Sequence, residues 1–366
     1  MSATWGRKFK VTIFGESHGT NIGVVIDGIP SGTYIDMEKI QTEMDRRAPG
    51  KDSFSTARKE SDTPLILSGV FERYATGAPL AMTIENKDQK SRDYSKMKDI
   101  ARPGHADYSA NIKYSGFNDY RGGGHFSGRL TAGIVFAGAI AKSILEQKNI
   151  LIGSHIKSIS NVEDVSFDFD SLNKEEFKKL SKSRFPLIDS SFEEKMKESI
   201  SIAKENLDSL GGVVECAVIG IKPGIGEPFF ESVESVISSM MFSIPAVKGI
   251  EFGDGFDMTK MSGSEANDSF CIDEKGNIST KTNHNGGING GITNGMPVVF
   301  KVAIKPTPSI SKTQMSVNLK SMENEEIKII GRHDPSIVPR VVPVIEAATA
   351  IAILDCVMIG EKNGTR

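Results

Sequence analysis

Residues 127–147 read SGRLTAGIVFAGAIAKSILEQ. Small and apolar side chains fall on nearly every side of a 3.6-residue helix here, so no face of it suits water. Gly133, Ala137, Gly138 and Ala141 let neighbouring backbones approach closely, and the stretch therefore predicts a helix at the centre of the fold. A second apolar helix is expected over 344–359. Outward from these two, strands are expected at 10–14 and 23–27, followed by a helix at 37–47 that Asp36 caps and Pro49-Gly50 stops. Further strands read at 65–71, 79–85, 150–159, 213–221 and 297–305. Further helices read at 174–183, at 192–210 with Gly211-Gly212 ending it, and at 231–242. Strands and helices do not alternate as strictly as a doubly wound parallel sheet demands, which gives an α+β class. No composition break or linker divides the chain, so one domain over 1–366 is expected.

The chain is 38% apolar and 25% charged with a formal net charge of −3. That balance is ordinary for a soluble globular protein and gives no reason to expect nucleic acid or an anionic membrane as partner. Cys216, Cys271 and Cys356 lie far apart and form no CxxC pair, which argues against a disulfide framework or a zinc site and for a cytoplasmic location. The apolar runs at 130–140 and 341–358 are too short to span a membrane or carry Glu346 and Asp355. No signal core follows the basic residues of the amino terminus.

The residues able to do chemistry gather in loops. His18, His105, His125 and His333 lie in Gly- or Pro-rich segments, where a loop places polar groups at a site while helices and strands fill the core. Basic residues stand beside them: Arg46, Arg47 and Arg58 after the first helix, Arg102 near His105, Arg129 near His125, and Arg332 and Arg340 about His333-Asp334. Guanidinium forks match carboxylate and phosphate oxygens bidentately, so such clusters meeting in one cleft would hold a small polyanion. The plainer reading of any single Arg is a solvated surface charge, and that of a lone loop His is an ordinary polar residue. His18 rises above it because flanking glycines in Gly15-Glu16-Ser17-His18-Gly19 permit close approach by a ligand. Gly122-Gly123-Gly124 before a helix is similar to an anion-binding helix start, though it fits neither a dinucleotide fingerprint nor a Walker loop. The long stretch 86–124 reads as an irregular, functional loop.

Taken together the segments resemble chorismate synthases from Phe14 to about Ala350. The resemblance rests on Gly15 to Gly19, Asp45-Arg46-Arg47-Ala48-Pro49-Gly50, Arg102-Pro103-Gly104-His105-Ala106-Asp107 and Tyr120-Arg121-Gly122-Gly123-Gly124. It continues through Pro245 to Gly249, Gly286-Gly287 with Gly290-Gly291, Lys305-Pro306-Thr307-Pro308-Ser309, and the run from Arg332 to Arg340. It implies a β-α-β sandwich with helices between antiparallel sheets, as a homotetramer. The implied reaction is loss of phosphate and a ring proton from 5-enolpyruvylshikimate 3-phosphate by 1,4-trans elimination. The implied cofactor is reduced FMN, with NADPH or an external flavin reductase as the source of electrons. By position, His18 with Ser17 resembles the group that protonates the leaving phosphate, His105 the proton donor to the reduced flavin, and Asp334 the acid–base partner for the ring hydrogen. Flavin contacts are expected from His125, Phe126, Ser127, Pro245, Ala246, Gly290, Lys305, Pro306, Thr307, Pro308, Ser309 and Arg332. Substrate and phosphate contacts are expected from Arg46, Arg47, Arg58, Arg102 and Arg129.

The chain departs from the family pattern after Gly124. Relatives usually read Arg-Ser-Ser-Ala-Arg-Glu-Thr where this chain has His125-Phe126-Ser127-Gly128-Arg129-Leu130-Thr131, and Ser53 replaces a frequent Arg. A fixed positive charge and a carboxylate are thereby missing beside the expected flavin site, which predicts weaker or more pH-dependent flavin binding. Two rival readings stand beside the lyase: a flavoprotein oxidoreductase acting on a phosphorylated substrate, and a non-catalytic binder of flavin or anions.

Overall fold

The computed structural model describes residues 3–50, 62–87, 98–273, 276–329 and 334–362. Two five-stranded sheets, antiparallel throughout, enclose a layer of helices. In the first, the strands follow the order Thr4–Trp5, Lys10–Gly15, Asn21–Asp27, Leu80–Glu85, Leu65–Ser68. In the second the order is Val247–Phe252, Val298–Ile304, Gly212–Ile219, Leu151–Ile159, Val162–Glu163.

The central helix, Thr131–Glu146, is where the opening stretch placed it, and thirteen of its residues are buried. Its Gly133 lies against Ile13 and Val24 of the first sheet. Its Gly138 meets the carboxy-terminal helix Val338–Lys362 so closely that an added methyl would sit 2.3 Å from the Ala347 Cβ. That second helix in turn packs on the second sheet, where Ser154 Oγ donates to the Val342 carbonyl and Cys216 Sγ lies 3.5 Å from Thr349 Oγ1. The layers are thus sheet, helices, sheet. Both helices are long and apolar enough to cross a membrane by length and composition, yet 83% and 89% of their apolar windows are buried inside the protein.

Two of the three acidic residues of the carboxy-terminal helix, Glu346 and Asp355, are buried and fully engaged. Asp355 accepts backbone N–H groups from Arg7, Lys8 and Phe9, at 2.6 to 3.1 Å, fastening the helix to the start of the first sheet. Glu346 accepts both Arg46 Nη1 at 2.7 Å and Arg46 Nη2 at 2.9 Å, with Lys142 Nζ and Ser154 Oγ completing its shell. Burial alone would raise the Glu346 pKa, but the adjacent Arg46 and Lys142 hold it far below the usual carboxylate range. A buried carboxylate with this many charge-assisted donors ties the first helix, the central helix, the last helix and the second sheet at one point.

The first helix spans Met37–Arg47, with Asp36 accepting the backbone N–H groups of Glu38 and Lys39. Elsewhere the observed boundaries differ for identifiable reasons. The helix expected over 192–210 is a 3₁₀ turn, Ser190–Phe192, and an α-helix, Glu193–Glu205. It ends in a Schellman arrangement: Leu207 takes φ +58°, and Asp208 N–H reaches back to the Ala203 carbonyl at 2.9 Å. Glycine usually fills that left-handed position, so a leucine there hides the stop and moves the expected end to Gly211-Gly212. The last helix begins at Val338 rather than 344, carrying Pro343 inside it, where a proline ordinarily argues for a boundary. The irregular stretch 86–124, where described, contains a helix, Asp107–Lys113, whose start has no side-chain cap to announce it. The edge strand Val247–Phe252 went unread because its residues do not alternate in burial.

Candidate active site

The Gly122-Gly123-Gly124 tract takes left-handed backbone throughout, with φ of +58°, +91° and +51°. Each position also lacks room for a side chain. A Cβ on Gly122 would fall 2.1 Å from His18 Cε1, and one on Gly123 would fall 3.0 Å from His105 Nε2. Two imidazoles from distant parts of the chain therefore pack against successive glycines of one tract. Ser17 N–H donates to the Gly124 carbonyl at 3.1 Å, and Ser17 Oγ lies 3.1 Å from His18 Nδ1.

Beside this tract lies a cavity of about 750 Å³, within the range typical of small-molecule sites. One part of its wall is cationic: Arg47, Arg102, Arg129, Lys248, Lys305 and Arg340 line it, against the single carboxylate of Asp334 among the described residues. Another part is apolar, with Phe126, Phe242, Ile244, Ile337, Val341 and Val344. The start of the long central helical segment contributes Ser127 and Gly128. Ser127 Oγ accepts the Arg129 backbone N–H at 3.2 Å.

Carboxylates behind the wall hold the cations in place. Asp62, buried, receives both Arg47 Nη2 and Arg129 Nη1. Burial would raise its pKa, yet the two guanidiniums keep it below the ordinary carboxylate value. Asp107 accepts Arg102 Nε on Oδ2 and Arg102 Nη2 on Oδ1, each at 2.7 Å, and His105 Nδ1 also lies 2.7 Å from Oδ1. Its pKa is likewise pressed far down, against the opposing effect of burial. Asp334 pairs with Arg340 Nη1 at 2.5 Å, and Arg340 Nε donates to the Arg47 carbonyl at 3.1 Å. Lys305 Nζ donates to the Gly104 carbonyl, so the 305–309 loop abuts the His105 loop.

Two buried polar atoms of the wall have no hydrogen-bond partner among the described residues: Arg47 Nε and Thr307 Oγ1. Leaving such groups unpaired costs about 1–3 kcal/mol each, more for a charged one. Their presence, with the cationic excess and the apolar wall, fits a ligand that combines anionic oxygens with a flat, weakly polar body. Ala246, a non-glycine residue at φ +75°, is held in the wall by Lys305 N–H donating to its carbonyl at 2.9 Å.

Of the residues expected from sequence, Arg47, Arg102, His105, His125, Phe126, Ser127, Arg129, Pro245, Ala246, Lys305, Thr307, Pro308, Ser309 and Asp334 line this cavity. Ser17 and His18 are not among its lining residues; both are buried and lie against Gly122, which is. Three expectations need correction. Arg46 is turned into the core ion cluster with Glu346 and Glu43, not toward the cavity. Gly290 sits in the hairpin Ile288–Asn289 and Ile292–Thr293 and is not among the lining residues. Pro306 packs toward Gly211, whose added Cβ would lie 3.0 Å from the proline ring. Arg58 and Arg332 lie outside the described residues. Arg340, read from sequence as one of the loop cations about His333-Asp334 but given no contact of its own, lines the cavity, whereas Lys248 and the carboxylates Asp62 and Asp107 were not singled out as site residues. Arg102 and Asp107 stand in one short motif, which was the available signal for the latter.

Comparison with known proteins agrees with this architecture. The family model described as chorismate synthase matches residues 9–358. A chorismate synthase of Pyrococcus abyssi is 50% identical over 350 residues, covering 96% of this chain and 96% of that one. One from Methanocaldococcus jannaschii is 47% identical over 368 residues, covering 98% and 96%. A solved structure titled "Crystal Structure of Chorismate Synthase" superposes with a TM-score of 0.77 at 31% identity, covering 98% of this chain and 94% of that one. The chain belongs to the chorismate synthase family of phosphate lyases.

Proposed function

We propose that the protein converts 5-enolpyruvylshikimate 3-phosphate to chorismate by 1,4-trans elimination, in the presence of reduced FMN. The observation that carries this reading is the cavity wall, where buried unpaired Arg47 Nε and Thr307 Oγ1 accompany a cationic side and an apolar side. Phe126, Ser127, Ala246 and the loop from Lys305 to Ser309 would hold the flavin. Bound there, reduced flavin supplies transient electron density to the allylic system without net oxidation.

The chain's own residues would then do four things. Arg47, Arg102 and Arg129 bind the substrate's anionic oxygens, each already oriented by Asp62 or Asp107. His18, with Ser17 at its Nδ1 and packed against the cavity-lining Gly122, would deliver a proton to the departing phosphate once bound substrate comes within its reach. His105 holds the proton exchanged with the reduced cofactor. Asp334, oriented by Arg340, takes part in moving the ring proton. The apolar wall excludes water, which strengthens these charge interactions. We further propose a cytoplasmic homotetramer that receives its reduced flavin from NADPH-dependent reduction, most simply by a separate reductase.

An anaerobic assay of phosphate and chorismate release, with reduced FMN in catalytic amount, tests the reading. Turnover without net NADPH consumption is expected. Consumption of one NADPH per product would instead support the oxidoreductase, and no phosphate release at saturating reduced FMN would support a binder. His18→Ala is expected to lose about 100-fold or more in kcat, the usual worth of a positioned general acid, while still binding flavin. Unchanged turnover would remove His18 from this role.

A further inference from the structure

His105 presents one ring nitrogen to a carboxylate, and its other ring nitrogen has no hydrogen-bond partner among the described residues. Its Nδ1 lies 2.7 Å from Asp107 Oδ1 and 3.1 Å from Arg102 Nη2. Arg102 is a donor only, and its fork is already committed: Nε to Asp107 Oδ2 and Nη2 to Asp107 Oδ1, both at 2.7 Å, with its backbone N–H also on Oδ2 at 3.0 Å. An ionised carboxylate is an acceptor only. Were Nδ1 bare, its lone pair would face a carboxylate oxygen at 2.7 Å with nothing between them. The proton must therefore sit on Nδ1, donated to Asp107. Nε2 has no hydrogen-bond partner among the described residues, and the ring, 15% exposed, lines the cavity.

We propose that Asp107 is a positioning residue that fixes His105 in the Nδ1–H form, leaving Nε2 as the nitrogen that takes and returns a proton at the cavity. Asp107 reaches the reaction only through His105 and Arg102. The same carboxylate orients both, so one side chain sets the direction of a proton carrier and of an anion-binding fork. Gly123 leaves room for the ring, since a side chain there would place its Cβ 3.0 Å from Nε2. The assignment deepens the reading of His105 given above and rests on it for its catalytic meaning, but the tautomer itself does not.

Long-range ¹H–¹⁵N correlation spectra of protein labelled with ¹⁵N-histidine, with His105 assigned by loss of its signals in His105→Gln, read the tautomer directly. The wild type is expected to show a protonated Nδ1, alone or with Nε2; a bare Nδ1 would overturn the proposal. In Asp107→Asn the amide can donate to Nδ1, so an Nε2–H signature should appear, with kcat down by about 100-fold or more. Asp107→Glu, which keeps a carboxylate, should retain the Nδ1–H signature and recover part of the rate. If Asp107→Asn keeps both the wild-type signature and the wild-type kcat, Asp107 does not position His105. Loss of affinity alone, with KM raised and kcat and tautomer unchanged, would assign Asp107 to Arg102 only and likewise overturn it. Absence of phosphate release by the wild type, with the tautomer as stated, would instead sink the enzymatic reading and leave the positioning role standing.

Discussion

Asp62 shows how one buried charge can decide the state of two others. It is 1% exposed and faces Arg47 and Arg129 together, so Asp62→Asn removes a countercharge that the two guanidiniums share. Breaking a buried pair in this way typically costs about 3–5 kcal/mol, and a fall in the urea midpoint of that size is the expected result. His125 carries the other prediction at this scale. Its Nδ1 lies 3.2 Å from the Gly15 carbonyl and the ring lines the cavity, where relatives usually place an arginine. His125→Arg is expected to bind FMN more tightly, because a guanidinium brings a fixed positive charge and a bidentate fork to this part of the wall. Equal affinities of wild type and variant by fluorescence titration would reject the idea. Sequence exposed many of these residues because histidines and arginines in glycine-rich loops stand out. It could not say which of Arg46 and Arg47 faces the cavity, since adjacent helical residues point about 100° apart, and both orientations suit a cation. Nor could it match carboxylates to guanidiniums, because Asp62 and Arg129 meet only through the fold.

The central helix was legible because its composition admits only one environment. Apolar and small residues on all sides exclude a surface position whatever the neighbours are. Its closest contact yields a prediction: in Gly138→Ala the new methyl would lie 2.3, 2.4 and 2.6 Å from Ala347 Cβ, Cα and O. Alanine would gain about 1 kcal/mol of helix propensity, whereas overpacking a tight interface costs about 1–3 kcal/mol and sometimes more. Two of the three contacts are to backbone, which cannot rotate away, so the clash should win and the unfolding midpoint should fall. Helix ends were harder to read than helix centres. Leu207 in the left-handed position and Pro343 inside the last helix are both cases where packing overrides a local rule.

Across the whole molecule, stability should depend on pH in opposite directions at two ends. Asp62, Asp107 and Glu346 have folded pKa values below their ordinary ones. Their contribution is present above the unfolded carboxylate range of about 4 and is lost as pH falls through the lower folded values. His155, buried in the second sheet between Asp164 at 3.2 Å and Glu215 at 2.9 Å, is the reverse case. Burial would lower its pKa, but its hydrogen bonds to these carboxylates raise it. Its contribution is complete below about 6.5 and fades as pH rises through the higher folded value. Urea midpoints measured from pH 6 to 9 should therefore decline in the wild type and decline less in His155→Gln; parallel curves would count against it. None of this could be read from sequence, because His155 lies in a strand whose alternation looks like any other.

The three N–H groups that Asp355 holds belong to residues 7, 8 and 9. During synthesis the amino-terminal sheet thus leaves the ribosome long before the helix that anchors it. Until that helix arrives, these three N–H groups lack their acceptor and Gly138 of the central helix lacks the backbone it packs against, and a stalled nascent chain would present that uncovered apolar face to chaperones or to its own copies. Joining elements so far apart also makes closure slow compared with local helix formation, so emergence of the Val338–Lys362 helix sets when this fold can first close.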